Sequence, residues 1–155
     1  MSAESVLVWL AQYAPDLKLI DHSRSTATVA EAAEVLGVEP GRIAKTLAFR
    51  VGETQMLLLA RGDARLDNAR CKAEFGGRPR MLDPEETLAL TGHAVGGVCP
   101  FGLANTLPIV ADRSLLTYAT VFPAAGSRTS SVEITPQRLA ELVGARWVKI
   151  CKLPE

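Results

Sequence analysis

Apolar residues recur at two different spacings along the chain, and the spacing changes from one segment to the next. Over Ser5–Tyr13 they fall three or four positions apart, which predicts one apolar face of a helix that Pro15 ends. Over Thr46–Val51 they alternate with other residues, which is the two-residue period of a strand. Gly52-Glu53 then turns the chain into Gln55–Ala60, an apolar run short enough for a buried strand, so we expect a hairpin.

Capping signals mark further helices. Thr28 and Glu31 have the spacing of a capping box, and the helix that they open is predicted to end at Gly37. Asp83-Pro84 combines a capping side chain with a proline at the first helical position, and this helix is predicted to run to about Leu90. The same signals predict two more helices, Asn68–Phe75 after Asp67 and the segment from Thr135-Pro136 to Gly144.

Short strands fit the remaining apolar segments, which are Leu17–Asp21, Leu107–Asp112, Tyr118–Phe122, Val132–Ile134 and Arg146–Ile150. The whole pattern gives about seven strands, several of them consecutive, interspersed with helices. A doubly wound parallel sheet would need stricter alternation of strand and helix, so we predict a mixed α/β fold. The 155 residues fit one domain, spanning positions 1–155.

Composition and charge exclude several classes of protein. The chain is 48% hydrophobic and 22% charged, which excludes a disordered protein. No apolar run approaches the ~18 residues of a membrane span, and no basic segment precedes the first apolar residues, so we expect a cytoplasmic protein without a membrane contact. Seventeen basic and 17 acidic residues give no net charge. That balance argues against a long non-specific grip on nucleic acid and leaves contact with one end open.

The cysteines do not indicate a disulfide framework or a metal centre. Cys71, Cys99 and Cys151 lie far apart, and only His22 and His93 are available as histidine ligands. We therefore predict three small, mostly buried hydrophobic side chains and no metal or cofactor.

The most unusual segment is Gly92–Gly102, GHAVGGVCPFG. Glycines let the backbone approach a ligand closely, and clustered N–H groups can hold an oxyanion or a phosphate. On composition alone a structural turn is favoured, because glycine-rich loops are common and this one matches neither nucleotide-binding glycine pattern.

Three other positions are candidates for chemistry. Lys45 stands just before the predicted strand among apolar neighbours, where it either extends to solvent at an edge or holds a phosphate or carboxylate. Asp112 ends an apolar strand, where it either caps a turn or serves a site. The loop Ala124–Ser127 is either a tight turn or a pocket wall.

A cysteine hydrolase is a further hypothesis, because Cys99 and His93 share the glycine-rich segment. A thiolate nucleophile needs a base within hydrogen-bond reach. Nothing in the sequence indicates that the two side chains face each other, so a structural role for Cys99 is preferred.

Four segments together resemble the YbaK family of free-standing editing domains, which is related to the insertion domain of bacterial prolyl-tRNA synthetase. They are IAKTLAF at Ile43–Phe49, TGHAVGGVCPFG at Thr91–Gly102, LPIVAD at Leu107–Asp112 and AAGS at Ala124–Ser127. Their order and spacing match from about residue 28 to residue 144. The resemblance implies a compact mixed α/β domain whose curved, mostly antiparallel sheet is flanked by helices.

The resemblance also implies an activity. Such domains hydrolyse the ester between a small mischarged amino acid, such as cysteine or alanine, and the 3′-terminal adenosine of a tRNA, here tRNA-Pro by implication. A synthetase pocket discriminates one methylene by only ~1–3 kcal/mol, so a second, hydrolytic sieve is useful. By this resemblance Lys45 holds the terminal phosphate or adenosine, and Asp112 lines the pocket. Gly96, Gly97 and Pro100 belong to the loop that is implied to position the aminoacyl carbonyl.

Further residues near these motifs are candidates for shaping the pocket. A ribose hydroxyl of the substrate is thought to assist the attack of water in this family, which would account for the lack of a visible triad or metal site. The candidate substrate-binding residues are Thr46, His93, Val98, Cys99, Phe101, Gly126 and Ser127.

Two other functions stay open at this point. The chain could be a non-catalytic module that binds a tRNA end or a synthetase, or it could hydrolyse another small acyl ester. The implied partners are the acceptor end of a mischarged tRNA and, in some family members, a synthetase. A monomer and a homodimer are both compatible with the sequence.

Overall fold

The computed structural model describes residues 2–154 and contains helices on both sides of a mixed sheet. Its α-helices are α1 (Ser2–Tyr13), α2 (Val29–Leu36), α3 (Asn68–Phe75), α4 (Pro84–Thr91) and α5 (Pro136–Val143). Its strands are β1 (Ile20–Asp21), β2 (Ile43–Val51), β3 (Thr54–Arg61), β4 (Arg65–Leu66), β5 (Arg80–Met81), β6 (Ile109–Asp112), β7 (Phe122–Pro123), β8 (Ser130–Ser131), β9 (Arg146–Val148) and β10 (Cys151–Lys152). Within residues 2–154, no helix is long and apolar enough to cross a bilayer.

The predicted helix ends are confirmed for α2 to α5. Each of these helices begins after a Thr or Asp whose side chain accepts the backbone N–H three residues later, and each ends at a glycine in the left-handed region. At α4 the capping box is complete, because Glu86 also accepts the N–H of Asp83. At α2 the Thr28 hydroxyl takes both roles, accepting from the Glu31 N–H and donating to the Glu31 carboxylate.

The main sheet has the strand order β5-β2-β3-β6-β9, and β7 also pairs with β2. β2 and β3 form the predicted hairpin, closed at Val51 opposite Thr54. Pairings of β2 with β3 and β5 are antiparallel, whereas β2–β7, β3–β6 and β6–β9 are parallel. Two small antiparallel pairs, β1–β8 and β4–β10, complete the pairing within the described residues. The predicted mixed α/β fold is confirmed.

The sheet separates two hydrophobic cores, as the alternation along its strands requires. Leu57 and Leu59 of β3 pack on one face with α1 and α5, whereas Leu58 of the same strand packs on the other face with Phe49 and Cys71 of α3. The three cysteines are buried and carry no disulfide, as predicted.

Several strand predictions are wrong in their bounds. β2 begins at Ile43, so Lys45 lies inside the strand and not before it. The strand predicted over Tyr118–Phe122 begins later, as the bridge at Val121 and then β7. The strand predicted over Val132–Ile134 is reduced to the antiparallel bridge of Ile134 with Val121, and β8 precedes it.

Three other strands are shorter than predicted. The strand expected over Leu17–Asp21 is the two-residue β1, and the one expected over Leu107–Asp112 is β6. Of the strand predicted over Arg146–Ile150, only residues 146–148 form a strand, β9, and β10 lies beyond the predicted range. Pairing with β6 ends at Val148, and the N–H groups of Ile150 and Cys151 donate to the Asp112 carboxylate instead.

The outer edge of β2 is paired only at its two ends. β7 pairs with Ile43 and Ala44, and β5 pairs with Phe49 and Arg50. Residues 45–48 have no strand opposite them on that side within the described chain. We call residues 45–48 the open edge of β2.

Candidate functional site

A cavity of about 440 Å³ lies along the open edge of β2. All five consecutive residues from Ala44 to Ala48 line it. Successive strand residues point to opposite faces, so five in a row can border one cavity only if the cavity runs along the edge. The other walls come from α2, α4, β5, the glycine-rich loop and the β7–β8 region, through Thr26, Ala27, Thr28, Val29, Ala32, Leu36, Ile43, Met81, Leu82, Pro84, Thr87, Val95, Gly96, Val98, Phe122, Ala124, Ser130 and Ser131.

The lining is mostly apolar and contains one charged side chain, that of Lys45. The other polar side chains are hydroxyls of threonine and serine, and no carboxylate belongs to the lining set. A site of this kind favours a ligand with a small apolar group and a few hydrogen-bonding atoms.

Lys45 is half-buried, and its ammonium donates a hydrogen bond to the carbonyl oxygen of Ala64. Burial lowers the pKa of Lys45, since removing a cation from water disfavours the charged form, while the neighbouring Asp63 acts in the opposite direction. Asp63 itself is held by Arg61, at 2.6 Å between Oδ1 and Nε. Lys45 lines the cavity, and in this structure its ammonium is held by the turn after β3.

The glycine-rich loop reaches the cavity through Val95, Gly96 and Val98. Gly96 has φ of +97°, and a Cβ atom there would lie 3.1 Å from the Cβ atom of Ala27. A Cβ atom on Gly97 would lie 3.0 Å from the backbone of Ser127. Both glycines are thus required by close packing of the backbone.

Only part of the loop offers free backbone donors. The N–H of Gly97 donates to the carbonyl of Ala94 at 3.0 Å and is not available to a ligand. Among the described residues, nothing accepts from the N–H of Gly96 or Val98. The cavity therefore meets the loop at Val95 and at the unpaired amides of Gly96 and Val98.

His93, Cys99 and Phe101 do not line the cavity, which corrects their predicted place in the pocket wall. All three are fully buried beneath the loop. His93 Nε2 lies 2.7 Å from the carbonyl oxygen of Phe101, and because a carbonyl only accepts, Nε2 carries the proton. Pro100 is also buried outside the lining. These buried side chains hold the glycine-rich loop in place.

Cys99 and His93 do meet, but their surroundings oppose nucleophilic chemistry. Cys99 Sγ lies 3.6 Å from His93 Nε2 and 3.7 Å from the Phe101 oxygen. Burial raises the pKa of the Cys99 thiol to about 12 and lowers the pKa of His93. Both side chains are therefore neutral near pH 7, and the thiol is closed off from solvent.

Asp112 is not at the cavity, which corrects its predicted place in the pocket lining. Its side chain is buried, and both carboxylate oxygens are occupied. Oδ1 accepts from the N–H groups of Ile150 at 2.8 Å and Cys151 at 3.0 Å, and Oδ2 accepts from Ser114 at 2.9 Å. The carboxylate joins the end of β6 to two other segments.

The turn over residues 124–127 supports the glycine-rich loop. Ala124 lines the cavity, whereas Gly126 and Ser127 do not. Ser127 Oγ lies 2.6 Å from Ser130 Oγ, which holds the turn against β8. Ser127 thus acts on the site through its backbone contact with Gly97.

Sequence reasoning missed the walls built by α2 and by β5 with α4. Ala32, Leu82 and Thr87 reach the cavity from segments with no unusual composition. Their part in the site depends on long-range packing, which no local signal reports. Thr46, by contrast, is at the cavity as predicted, although its Oγ1 is shielded from solvent and has no hydrogen-bond partner in the described part of the chain.

No group of three or more His, Cys, Asp or Glu side chains within residues 2–154 is arranged to hold a metal ion.

Comparison with known proteins gives a consistent picture. The family described as "Aminoacyl-tRNA editing domain" matches residues 23–142. The uncharacterized protein YwhH of Bacillus subtilis (strain 168) is 45% identical over 154 residues, which are 98% of each chain. The proline–tRNA ligase of Thermotoga maritima is 38% identical over 89 residues, which are 57% of this chain and 15% of the ligase. The crystal structure of "a putative trans-editing enzyme for prolyl tRNA synthetase" is 36% identical, covers 97% of both chains and superposes with a TM-score of 0.89.

Proposed function

The chain belongs to the aminoacyl-tRNA editing domain family, and from that premise we propose that it is a deacylase acting in trans on mischarged tRNA. It hydrolyses the ester that joins a small amino acid, such as alanine or cysteine, to the terminal adenosine, with tRNA-Pro as the expected carrier. It works in the cytoplasm, as a single domain, alone or beside a synthetase. The observation that carries the proposal is the shared cavity of Lys45 and the glycine-rich loop.

The size and polarity of the cavity support an aminoacyl ester as the ligand. Its volume of about 440 Å³ falls within the roughly 300–1,000 Å³ of small-molecule sites. An apolar wall accepts a small aliphatic or thiol side chain without leaving polar groups unpaired. Water is the proposed nucleophile, as the family resemblance implies.

The unpaired amides of Gly96 and Val98 are the proposed donors to the oxyanion that forms when water attacks. One such donor contributes about 3–4 kcal/mol to the transition state. Gly97 and Pro100 act indirectly, by fixing the shape of the loop. The general base comes from the substrate's own ribose hydroxyl, as the family resemblance implies.

Lys45 is the proposed anchor for the terminal phosphate or adenosine. Its ammonium now rests on a neutral carbonyl oxygen, which is a weaker partner than a phosphate. Since the side chain is partly desolvated already, transfer of the ammonium to an anion regains electrostatic energy.

The test is deacylation of tRNA-Pro mischarged with alanine, cysteine, serine or 2-aminobutyrate. We expect hydrolysis of at least one ester, and we expect Lys45→Ala to lower kcat/KM by roughly 100-fold or more, because the anchor of the substrate is lost. Lys18→Ala, which alters an exposed lysine outside the cavity lining, is the matched control.

Three outcomes would contradict the proposal. Binding of tRNA without cleavage of any ester would favour the non-catalytic module. Equal turnover of a small acyl ester without tRNA would favour a different hydrolase. Full activity of Lys45→Ala would remove Lys45 from the site.

A further inference from the structure

The open edge of β2 exposes backbone groups whose direction follows from their neighbours. Ala44 pairs outward with β7, and the carbonyl of Ala48 accepts outward from the N–H of Leu82 at 3.0 Å. Because backbone direction repeats every two residues along a strand, the N–H and C=O of Thr46 point outward as well. They therefore point into the cavity.

No described residue pairs with the outward N–H and C=O of Thr46. Backbone groups of a folded protein that lack a protein partner are satisfied by water or by a ligand, so two such groups that face a cavity are available to a ligand. The Thr46 hydroxyl is not the contact, since Oγ1 is turned away from solvent. The groups that remain available to a ligand at this residue are the backbone N–H and C=O of Thr46.

An α-aminoacyl group carries a matching pair of atoms. Its amino nitrogen donates and its carbonyl oxygen accepts, and the α-carbon and carbonyl carbon separate them, as in a residue of a neighbouring strand. The cavity lining offers no carboxylate to an amino group, so neutral oxygens are the available acceptors, and the outward carbonyl of Thr46 is one of them.

We propose that the aminoacyl group binds as a one-residue strand that fills the gap between β7 and β5. Its amino group donates to the carbonyl of Thr46, and its acyl oxygen accepts from the N–H of Thr46 in the bound ester. The amides of Gly96 and Val98 donate to the same oxygen when it becomes the oxyanion. This inference rests on the proposed deacylase function and deepens it, because it specifies an α-amino acid as the acyl group.

The same geometry sets the place of the amino-acid side chain. Side chains directly opposite each other on paired strands share a face of the sheet. The substrate side chain therefore falls on the face of Thr46, where the flanking strand residues are Ala44 and Ala48. Two alanines leave room there for a small side chain.

The first experiment changes the substrate and leaves the protein intact. Alanyl-tRNA is compared with N-acetylalanyl-tRNA and with propionyl-tRNA, in which a hydrogen replaces the amino group. Each rate is divided by the spontaneous hydrolysis rate of that ester. We expect kcat/KM to fall at least 100-fold for the N-acetyl ester and about 10-fold for the propionyl ester.

The propionyl ester separates lost hydrogen bonding from steric exclusion, because it has no donor and is no larger than the alanyl ester. Equal normalised rates for all three esters would overturn the one-residue strand and leave the deacylase function standing. Failure to cleave any ester, alanyl included, would overturn both.

The second experiment removes only the backbone donor. Thr46→Pro deletes the N–H that faces the cavity, at a position where no ladder bond is lost. We expect kcat/KM to fall at least 10-fold for Thr46→Pro, and to fall clearly less for Thr46→Val, which keeps the N–H. Equal loss in both variants would overturn the backbone contact. Should Thr46→Pro fail to fold, the substrate series decides the proposal.

Discussion

Two polar segments of the sheet look alike in the sequence and are opposites in the structure. Lys45-Thr46 and Asp112 each adjoin an apolar run, but the backbone of Thr46 faces a cavity without partners, while Asp112 has both oxygens occupied. A polar group with all its partners inside the protein stabilises the fold. A polar group without partners beside a cavity is available to a ligand. Asp112 is therefore predicted to stabilise the fold, and the backbone of Thr46 is predicted to bind a ligand.

The largest effect on stability is expected from Asp112→Ala. It leaves two buried N–H groups and one half-buried N–H group without an acceptor, so we expect a loss of about 3–5 kcal/mol in the free energy of unfolding. Urea or thermal unfolding measures the loss, and a melting temperature lower by roughly 10 °C is the corresponding shift. Asp112→Asn keeps one acceptor oxygen and should lose less. A stable Asp112→Ala protein that has lost only its activity would show that Asp112 serves the site and not the stability of the fold.

His93→Phe is expected to have the next largest effect. It leaves the buried carbonyl of Phe101 without its donor, at a cost of about 1–3 kcal/mol. Because the loop loses its fastening, kcat for deacylation should also fall, whereas His93→Gln keeps a donor and should retain more of both. An unchanged unfolding curve for His93→Phe would exclude the fastening role.

His93 also gives the stability a specific dependence on pH. Burial lowers the pKa of His93 below its ordinary value of 6.5. As the pH falls below 6.5 the unfolded chain gains a proton before the folded protein does, so stability decreases between that value and the lower folded pKa. Urea unfolding at about pH 7.5 and 5.5 measures the decrease, which should be smaller in His93→Gln. A decrease of equal size in both proteins would contradict this assignment.

The smallest effect is expected at Cys99. The thiol is buried and its pKa is raised to about 12, so Cys99→Ala should keep deacylation within about twofold of wild type. Cys99 should also react with a thiol reagent only as fast as the protein unfolds. Loss of activity in a folded Cys99→Ala protein would support the hypothesis of a cysteine hydrolase.

Local features of the chain were predictable because their causes are local. The capping residues Asp67, Asp83 and Thr135 each act on an N–H three positions away, so the starts of α3, α4 and α5 are readable from the sequence. The hairpin of β2 and β3 depends on a two-residue turn and on alternation, which are local as well.

The site depended on distant segments and was only partly predictable. The gap beside Thr46 exists because residues 80–81 and 122–123 pair with β2 on either side of it, and no short window of sequence contains that information. The family resemblance assigned Asp112 to the pocket, and no local signal reported its bonds to Ile150 and Cys151, which lie about forty residues away in sequence. The family resemblance supplied Lys45 and the glycine-rich loop, which do share the cavity.

The most direct test of the central claim is an NMR titration with a non-hydrolysable substrate analogue, alanyl-adenosine joined through an amide. The backbone N–H signals of Thr46, Gly96 and Val98 should shift on binding, because these groups are unpaired at the cavity. Those of Ile150 and Cys151 should stay in place, because Asp112 already holds them. Saturable binding that moves the second set and leaves the first unchanged would contradict the account.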